Sequence, residues 1–273
     1  QARAIMTSLA RSLKKVFGFD DFRAGQQQTI TQLLDEKSSL AIFPTGSGKS
    51  LCYQLTALHL PHLTLVVSPL LALMKDQLSF LAKKGIEAAS IDSSLTAEQV
   101  QQVMSATRTG AIKILMVSVE RFKNERFRQF IGAIPVSLLV VDEAHCISEW
   151  GHDFRPEYRR LKPIIEAIDD VPIIALTATA DRRTQDEIIH QLQLDNARVF
   201  INSFDRPNIH YAISEGNNPK QRLWHFLQDN HPDDAGIVYC LSRKKVDAIA
   251  EWLSDQGRLA LPYHAGLSQQ IRQ

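Results

Sequence analysis

Cysteine is scarce in this sequence: Cys52, Cys146 and Cys240 are the three among 273 residues, far apart and without a C-x-x-C pair. That argues against a disulfide framework and the common cysteine zinc sites, and it fits a reducing compartment, with the cytoplasm the expected location. Long apolar runs are lacking too. The longest, LTLVVSPLLALM at 63–74, is too short to span a bilayer and is broken by Ser68 and Pro69. The formal charge is only +1, so no global field draws the molecule to nucleic acid or to an acidic membrane. Any phosphate contact has to come from a local patch. Low-complexity tracts and short-period repeats are missing. The first residue is Gln1, and Met6 is the expected natural start. Leu9, Leu13, Val16 and Phe17 then recur at helical spacing, which predicts an amphipathic first helix.

What is present is an ordinary soluble composition, 44% hydrophobic and 22% charged. Apolar runs at 39–43, 63–68, 113–118, 136–141 and 172–177 read as strands, each followed by residues with apolar positions three or four apart. This alternation predicts an α/β fold in which parallel strands are joined by crossover helices packed on both faces of the sheet. In such a sheet the binding crevice lies beyond the carboxyl ends of the strands. Here those ends read PTGSGKS, SPLLALMKDQ, SVERF, DEAHC and TATA. The pattern loosens at SFDRPN and EGNNP, so one domain is expected over 1–205 and a second, incomplete one of β and α elements over 206–273.

FPTGSGKS at 43–50 lies between a strand and a helical pattern. Backbone N–H groups across Thr45, Gly46, Ser47 and Gly48 suit phosphate oxygens, Lys49 suits the β and γ phosphates, and Ser50 suits Mg²⁺. Phe43 stands where the strict phosphate-loop pattern asks for glycine. The strand VSLLVV ends in Asp142 and Glu143. Charge at the end of a buried strand is costly unless it is paired. A bound nucleotide supplies the partner: Asp142 holds the ion and Glu143 orients the attacking water, with ATP and Mg²⁺ as the ligands. His145 is read as a polar link to TATA, where Thr177 and Thr179 carry hydroxyls, although that loop also reads as a simple helix cap. His145, Cys146 and His152 offer three metal donors at a spacing unlike the common zinc patterns.

Trp150, Phe154 and Tyr158 are spaced four apart with Arg155 among them. On a helix they form a core stripe. Gly151, Asp153 and Pro156 disfavour a helix, and a loop offering rings and a guanidinium is a stacking surface for unpaired bases.

At this point the residues resemble the RecQ family of superfamily 2 DNA helicases. The resemblance rests on LKKVFGFDDFRAGQQQTI, PTGSGKSLCYQ, SPLLALMKDQ, DEAHCISEWGHDFRPEY, ALTATA, SFDRPNI, YCLSRKKV and YHAGLS, in that order along nearly the whole chain. It implies a RecA-like P-loop NTPase domain followed by part of a second. It implies coupling of ATP hydrolysis to 3′–5′ movement on single-stranded DNA and to the opening of duplex or forked DNA, in repair and recombination. By the same resemblance Phe19, Arg23 and Gln26 hold adenine, and Ser68, Pro69, Lys75 and Gln77 line the DNA path. Trp150, Phe154, Arg155 and Tyr158 couple DNA to turnover, with Thr177 and Thr179 on the same route. Tyr239, Ser242, Arg243, Lys245 and His264 belong to the start of the second domain, and the location is the bacterial cytoplasm or the eukaryotic nucleus. Glu149 departs from the family's usual glutamine and puts an acid near the expected DNA path. The family's Q-x-x-G-R-x-G-R stretch, whose arginine reaches the γ-phosphate, has no match in this sequence, nor has its zinc-binding and winged-helix region. Weak activity is therefore expected of this chain alone. The alternatives are an RNA helicase, a translocase that does not unwind, or an inert ATP-binding module; the absence of N-K-x-D disfavours a GTPase.

Overall fold

The structure is a computed structural model, and it describes residues 2–44, 48–69, 71–168, 170–194, 197–201, 216 and 218–272. Two compact units divide the chain at 206/207.

The first unit is built on seven strands: β1 (Ser39–Ile42), β2 (Leu63–Val67), β3 (Ala88–Ile91), β4 (Ile114–Val117), β5 (Val136–Val141), β6 (Ile173–Thr177) and β7 (Arg198–Ile201). They pair in the order β3-β4-β2-β5-β6-β1-β7, and every pairing is parallel. Parallel neighbours need a crossover, and helices supply it. The crossovers contain α3 (Lys49–Leu58), α4 (Leu71–Lys83), α5 (Ala97–Arg108), α6 (Glu125–Ala133), α7 (Leu161–Ala167) and α8 (Arg182–Gln191), while α1 (Ala2–Ser12) and α2 (Gln26–Leu34) precede β1.

Successive strand residues point to opposite faces, and the two apolar cores follow that alternation. Leu65, Val67, Leu115, Val117, Leu139 and Val141 enter one core with residues of α5 to α8, such as Met104, Phe130, Ile164 and Ile188. Val66, Ile114, Met116, Leu138, Val140 and Ile174 enter the other with residues of α1 to α4, such as Leu9, Ile30, Leu55 and Met74. The α/β architecture with a parallel sheet is thus as expected. Two strands were not anticipated. β3 and β7 both lie at sheet edges, where one neighbour suffices and little apolar content is needed; β7 buries only Phe200.

Register brings the strand ends together. Val141 lies level with Val67 and Ala175, and Ile42 with Thr177. The ladder runs one step further through Asp142 N donating to Val67 O at 2.9 Å and Phe43 N to Thr177 O at 3.0 Å. The residues that follow β1, β2, β5 and β6 therefore share one edge of the sheet.

The second unit, by itself, has the helices α9 (Pro219–Asn230), α10 (Arg243–Asp255) and α11 (Gln269–Arg272), and no strand among its described residues. The β runs expected at GIVYCLS and RLALPYHAGL are corrected accordingly. A strand needs a hydrogen-bonded neighbour, and these segments leave Ile237, Tyr239, Leu241, Leu259 and Leu261 largely exposed. Trp224 and Trp252 pack edge to face at 6.2 Å between α9 and α10. No described helix is long and apolar enough to cross a membrane.

These packing differences set a stability contrast. Leu65→Ala, at a site fully buried between strand and helix, is expected to cost about 2–5 kcal/mol in chemical denaturation. Leu241→Ala, 99% exposed, is expected to stay within about 0.5 kcal/mol.

Candidate functional site

At the shared sheet edge, Gly48 precedes α3 with φ +81°, in the left-handed region. A Cβ there would collide with the Gln26 amide, so the position demands glycine. Gln26 is buried. Its Oε1 accepts from Arg23 N at 2.8 Å and its Nε2 donates to Gly48 O at 2.9 Å. The side chain expected at the adenine thus also ties the segment before α2 to the end of the phosphate loop. Phe19 and Arg23 are both exposed. Thr45, Gly46 and Ser47 lie outside the described residues.

Lys49, the first residue of α3, points at the end of β5. Its Nζ is 3.6 Å from Asp142 Oδ1 and 3.5 Å from Glu143 Oε1. Burial, only partly offset by Lys49 and reinforced by Glu143, holds the Asp142 carboxyl above the usual carboxylate range. A buried acid in that condition accommodates a cation. Ser50 Oγ accepts from Gln77 Nε2 at 3.3 Å, and Gln77 Oε1 accepts from the buried Tyr53 hydroxyl. Gln77 was expected along the DNA path; here its amide joins α4 to the hydroxyl beside Lys49. Ser68 is buried after β2, Pro69 is half-buried, and Lys75 is exposed on α4.

Glu143 adopts φ +51°, a left-handed conformation that costs a residue with a Cβ about 1–3 kcal/mol. The turn sends the chain into a 3₁₀ segment, Ala144–Ile147, which carries His145 under the end of β6. Thr177 Oγ1 is 3.0 Å from Thr179 O, a contact in which the hydroxyl donates, and 2.8 Å from His145 Nδ1. The single hydroxyl proton is used on the carbonyl, so Nδ1 carries its own proton and donates to Thr177. Burial lowers the His145 pKa, leaving Nε2 as a lone pair 3.6 Å from Glu143 Oε2. The polar link expected between His145 and the TATA loop is thus present as a hydrogen bond.

Beyond it, Arg155 N donates to Cys146 O at 2.8 Å and closes a loop. Gly151 fits there because a Cβ would sit 2.8 Å from His145 O. The three aromatic residues part company. Trp150 is 58% exposed, Phe154 is half-buried beneath Arg159 at 5.7 Å, and Tyr158 is fully buried. Tyr158 is therefore not a stacking surface: its hydroxyl donates to Asp142 O at 2.8 Å, and burial pushes its pKa up. The aromatic spacing of four mixed one core ring with a surface ring. Arg155 is half-buried and pairs with Asp153 at 3.3 Å.

The three-donor cluster changes membership. His152 stacks on His145 at 4.6 Å, whereas Asp153 joins His145 and Cys146, with donor atoms within 4.8 Å of one another. Burial, with Asp153 adding to it, raises the Cys146 thiol to about 12 and keeps it protonated, and the His145 ring is engaged with Thr177.

Some contacts had no signal in the sequence. Arg159 donates to Ile147 O at 3.1 Å and pairs with Glu187 of α8 at 2.9 Å. Arg183 lies over the Trp150 ring at 4.1 Å. Neither arginine belongs to a motif singled out in the sequence. In the second unit, Ser242 caps α10 by accepting from Lys245 N at 3.2 Å, Arg243 opens that helix, Tyr239 is exposed, and His264 contacts Asp247 at 3.0 Å.

A parallel sheet that gathers Gly48, a lysine and two carboxylates at one edge is the frame of a nucleotide-hydrolysing domain. Residues 23–188 match the family model described as DEAD/DEAH box helicase, and the chain belongs to that family. It is 48% identical over 96% of its length to the ATP-dependent DNA helicase RecQ of Haemophilus influenzae, and 38% identical over 95% to that of Bacillus subtilis. Within the helicases it is a RecQ-family sequence. It spans 42% and 44% of those relatives' lengths. Among solved structures it resembles a hypothetical ATP-dependent RNA helicase from Sulfolobus tokodaii, with a TM-score of 0.57, 16% identity, and coverage of 90% of this chain and 72% of that one. It also resembles Mycobacterium smegmatis helicase Lhr bound to ssDNA and AMP-PNP, with a TM-score of 0.56, 17% identity, and coverage of 97% of this chain and 39% of that one. At such identity these likenesses concern the fold alone.

The raised Asp142 pKa has a consequence without any nucleotide. Above the unfolded carboxyl's pKa of 3.8 the folded state holds the Asp142 proton more tightly, so this group's contribution declines as pH rises through the folded pKa. Asp142→Asn removes that burden and can still accept from Glu143 N. The variant is expected to melt above the wild type at pH 7, with the gap narrowing as acid protonates Asp142; thermal melts across pH check both.

Proposed function

We propose that this chain is the ATP-binding front of a RecQ-type DNA helicase, coupling ATP hydrolysis to 3′–5′ movement on single-stranded DNA and to opening of forked or duplex DNA in repair and recombination. Residues 1–205 serve as the first RecA-like motor domain and 206–273 as the beginning of the second. The work is done where the DNA is kept, in the bacterial cytoplasm or the eukaryotic nucleus. The observation that carries the reading is the continuous route from Lys49, through Asp142 and Glu143, to a loop that exposes Trp150.

The site suits Mg²⁺–ATP. Gly48 is shaped by the Gln26 amide, Ser50 places a hydroxyl beside the lysine, and the Asp142 carboxyl is buried with a single cation partner, Lys49, among the described residues. Ser50 and Asp142 would hold the metal, which supplies charge neutralisation to the phosphates. Lys49 would leave its carboxylates for the β and γ phosphates, and Phe19, Arg23 and Gln26 would receive the adenine.

Freed from Lys49, Glu143 accepts a proton from the attacking water. The Nε2 lone pair of His145 lies next to that carboxylate, and its Nδ1–H is fixed on Thr177, so the ring senses the charge at Glu143 and passes it to the β6 end. Tyr158 carries the other connection, from the Asp142 carbonyl to the aromatic loop. Trp150 offers its ring to a base, worth about 1–3 kcal/mol per stacked base. Phe154, Arg155, Ser68, Pro69, Lys75 and Thr179 line the same approach, with Gln77 acting from the Ser50 side. Tyr239, Ser242, Arg243, Lys245 and His264 belong to the second domain's share of the motor. Because this sequence has no Q-x-x-G-R-x-G-R stretch, turnover by the chain alone is slow; an arginine of that kind is worth about 10³–10⁵ in rate.

The test combines ATP titration with steady-state hydrolysis, with and without oligodeoxynucleotide, and with the matching oligoribonucleotide as a second arm. Glu143→Gln is expected to retain nucleotide and to lose about 10²–10⁴-fold in turnover. Lys49→Ala is expected to weaken nucleotide binding, and Trp150→Ala to abolish stimulation by DNA. Equal stimulation by RNA, or a Lys49→Ala protein that binds and hydrolyses as the wild type does, would overturn the reading.

A further inference from the structure

Trp150 is the exposed large hydrophobic side chain of its loop, and one of its faces is already occupied. The guanidinium of Arg183 sits over it at 4.1 Å, the shortest cation–ring contact among the described residues. Arg183 lies in the first turn of α8, a helix whose start is fixed by Asp181: its carboxylate accepts from Thr184 N at 2.8 Å. Two residues of α8 thus hold the aromatic loop, Arg183 through Trp150 and Glu187 through Arg159. The neighbouring Arg182 is committed to Asp186 at 3.4 Å, whereas Arg183 has no carboxylate at ion-pair distance among the described residues. Its charge is available.

Charge is needed at that place. The residue before Trp150 is the exposed Glu149, which opposes the approach of an anion. Asp153 in the same loop is already paired with Arg155. An aromatic face gives a base something to stack on but does nothing for the phosphate that accompanies it, and an arginine can do both.

We propose that Trp150 and Arg183 form one nucleotide-binding subsite for single-stranded DNA, in which a base stacks on the open face of Trp150 while Arg183 holds the ring from behind and neutralises an adjacent phosphate. The proposal rests on the DNA reading above and adds to it a residue outside the aromatic loop. Arg183 begins the helix that follows Thr177 and Thr179, so a strand captured there pulls on the same β6–α8 connection that receives the His145 hydrogen bond.

The experiment is the salt dependence of binding to a fluorescein-labelled oligothymidylate, followed by anisotropy with the whole chain. Each phosphate neutralised on a single strand contributes about 0.7 to the slope of log affinity against log salt. Arg183→Gln is expected to weaken binding and to reduce the slope by about 0.7. Arg183→Lys is expected to restore the slope, which a purely structural role would not predict, and Arg182→Gln to leave it as in the wild type. An unchanged slope in Arg183→Gln, with Trp150→Ala still weakening binding, overturns the subsite and leaves the DNA reading standing. Unchanged binding in both Arg183→Gln and Trp150→Ala overturns the DNA reading of the loop and the subsite with it.

Discussion

The lysine held between two carboxylates is the interaction around which the first unit is arranged. A parallel sheet covered on both faces can carry charge only at the ends of its strands, because a charge in the middle would be buried without a partner. Asp142 and Glu143 stand at such an end, and Lys49 meets them from the first turn of the helix that follows β1, the next strand but one in the sheet. Everything else at that edge positions these three groups. The register of β5 against β2 and β6 sets the height of Asp142, and the left-handed turn at Glu143 redirects the chain so that His145 reaches Thr177.

The arrangement also supplies two connections that lead away from the carboxylates. Asp142 faces Lys49 with its side chain and Tyr158 with its carbonyl, so a change in position at the carboxylate is felt at the base of the aromatic loop. Glu143 and His145 make a second route towards β6. The two routes end on different stretches of chain, the base of the aromatic loop and the end of β6, and the Arg159–Glu187 pair ties the first of these to the helix that follows the second. Rigid elements linked by a few polar contacts are the material from which a two-state coupling is made.

Much of this could be read in the sequence, and the divide has a physical basis. Interior strands such as 63–67 and 136–141 announced themselves because burial on both faces requires uninterrupted apolar residues. Edge strands 88–91 and 198–201 did not, since half their surface is free to be polar. Gly48, Lys49, Asp142 and Glu143, singled out in the sequence by their motifs, are brought together at one end of the sheet. Spacing alone could not separate Tyr158, which enters the core, from Trp150, which does not. The ring contact of Arg183 and the Ser50 and Tyr53 bonds of Gln77 had no signal in the sequence, because they arise from the neighbours the fold gives these residues. In the second unit the β-like sequence at 236–241 has apolar content but no neighbouring strand to pair with among the described residues, and pattern without a partner does not make a sheet.

The backbone at position 143 sets two selection pressures against one another. Its left-handed φ would be relieved by glycine, and asparagine or aspartate would tolerate it better than glutamate does. Yet glycine has no proton acceptor, asparagine accepts no proton, and aspartate is one methylene shorter. Under the role proposed for Glu143, a library covering every amino acid at this codon, sorted once for soluble yield and once for ATP turnover, would enrich different residues in the two sorts. The wild-type glutamate keeps a carboxylate beside Lys49 at a backbone conformation that glycine would adopt without strain.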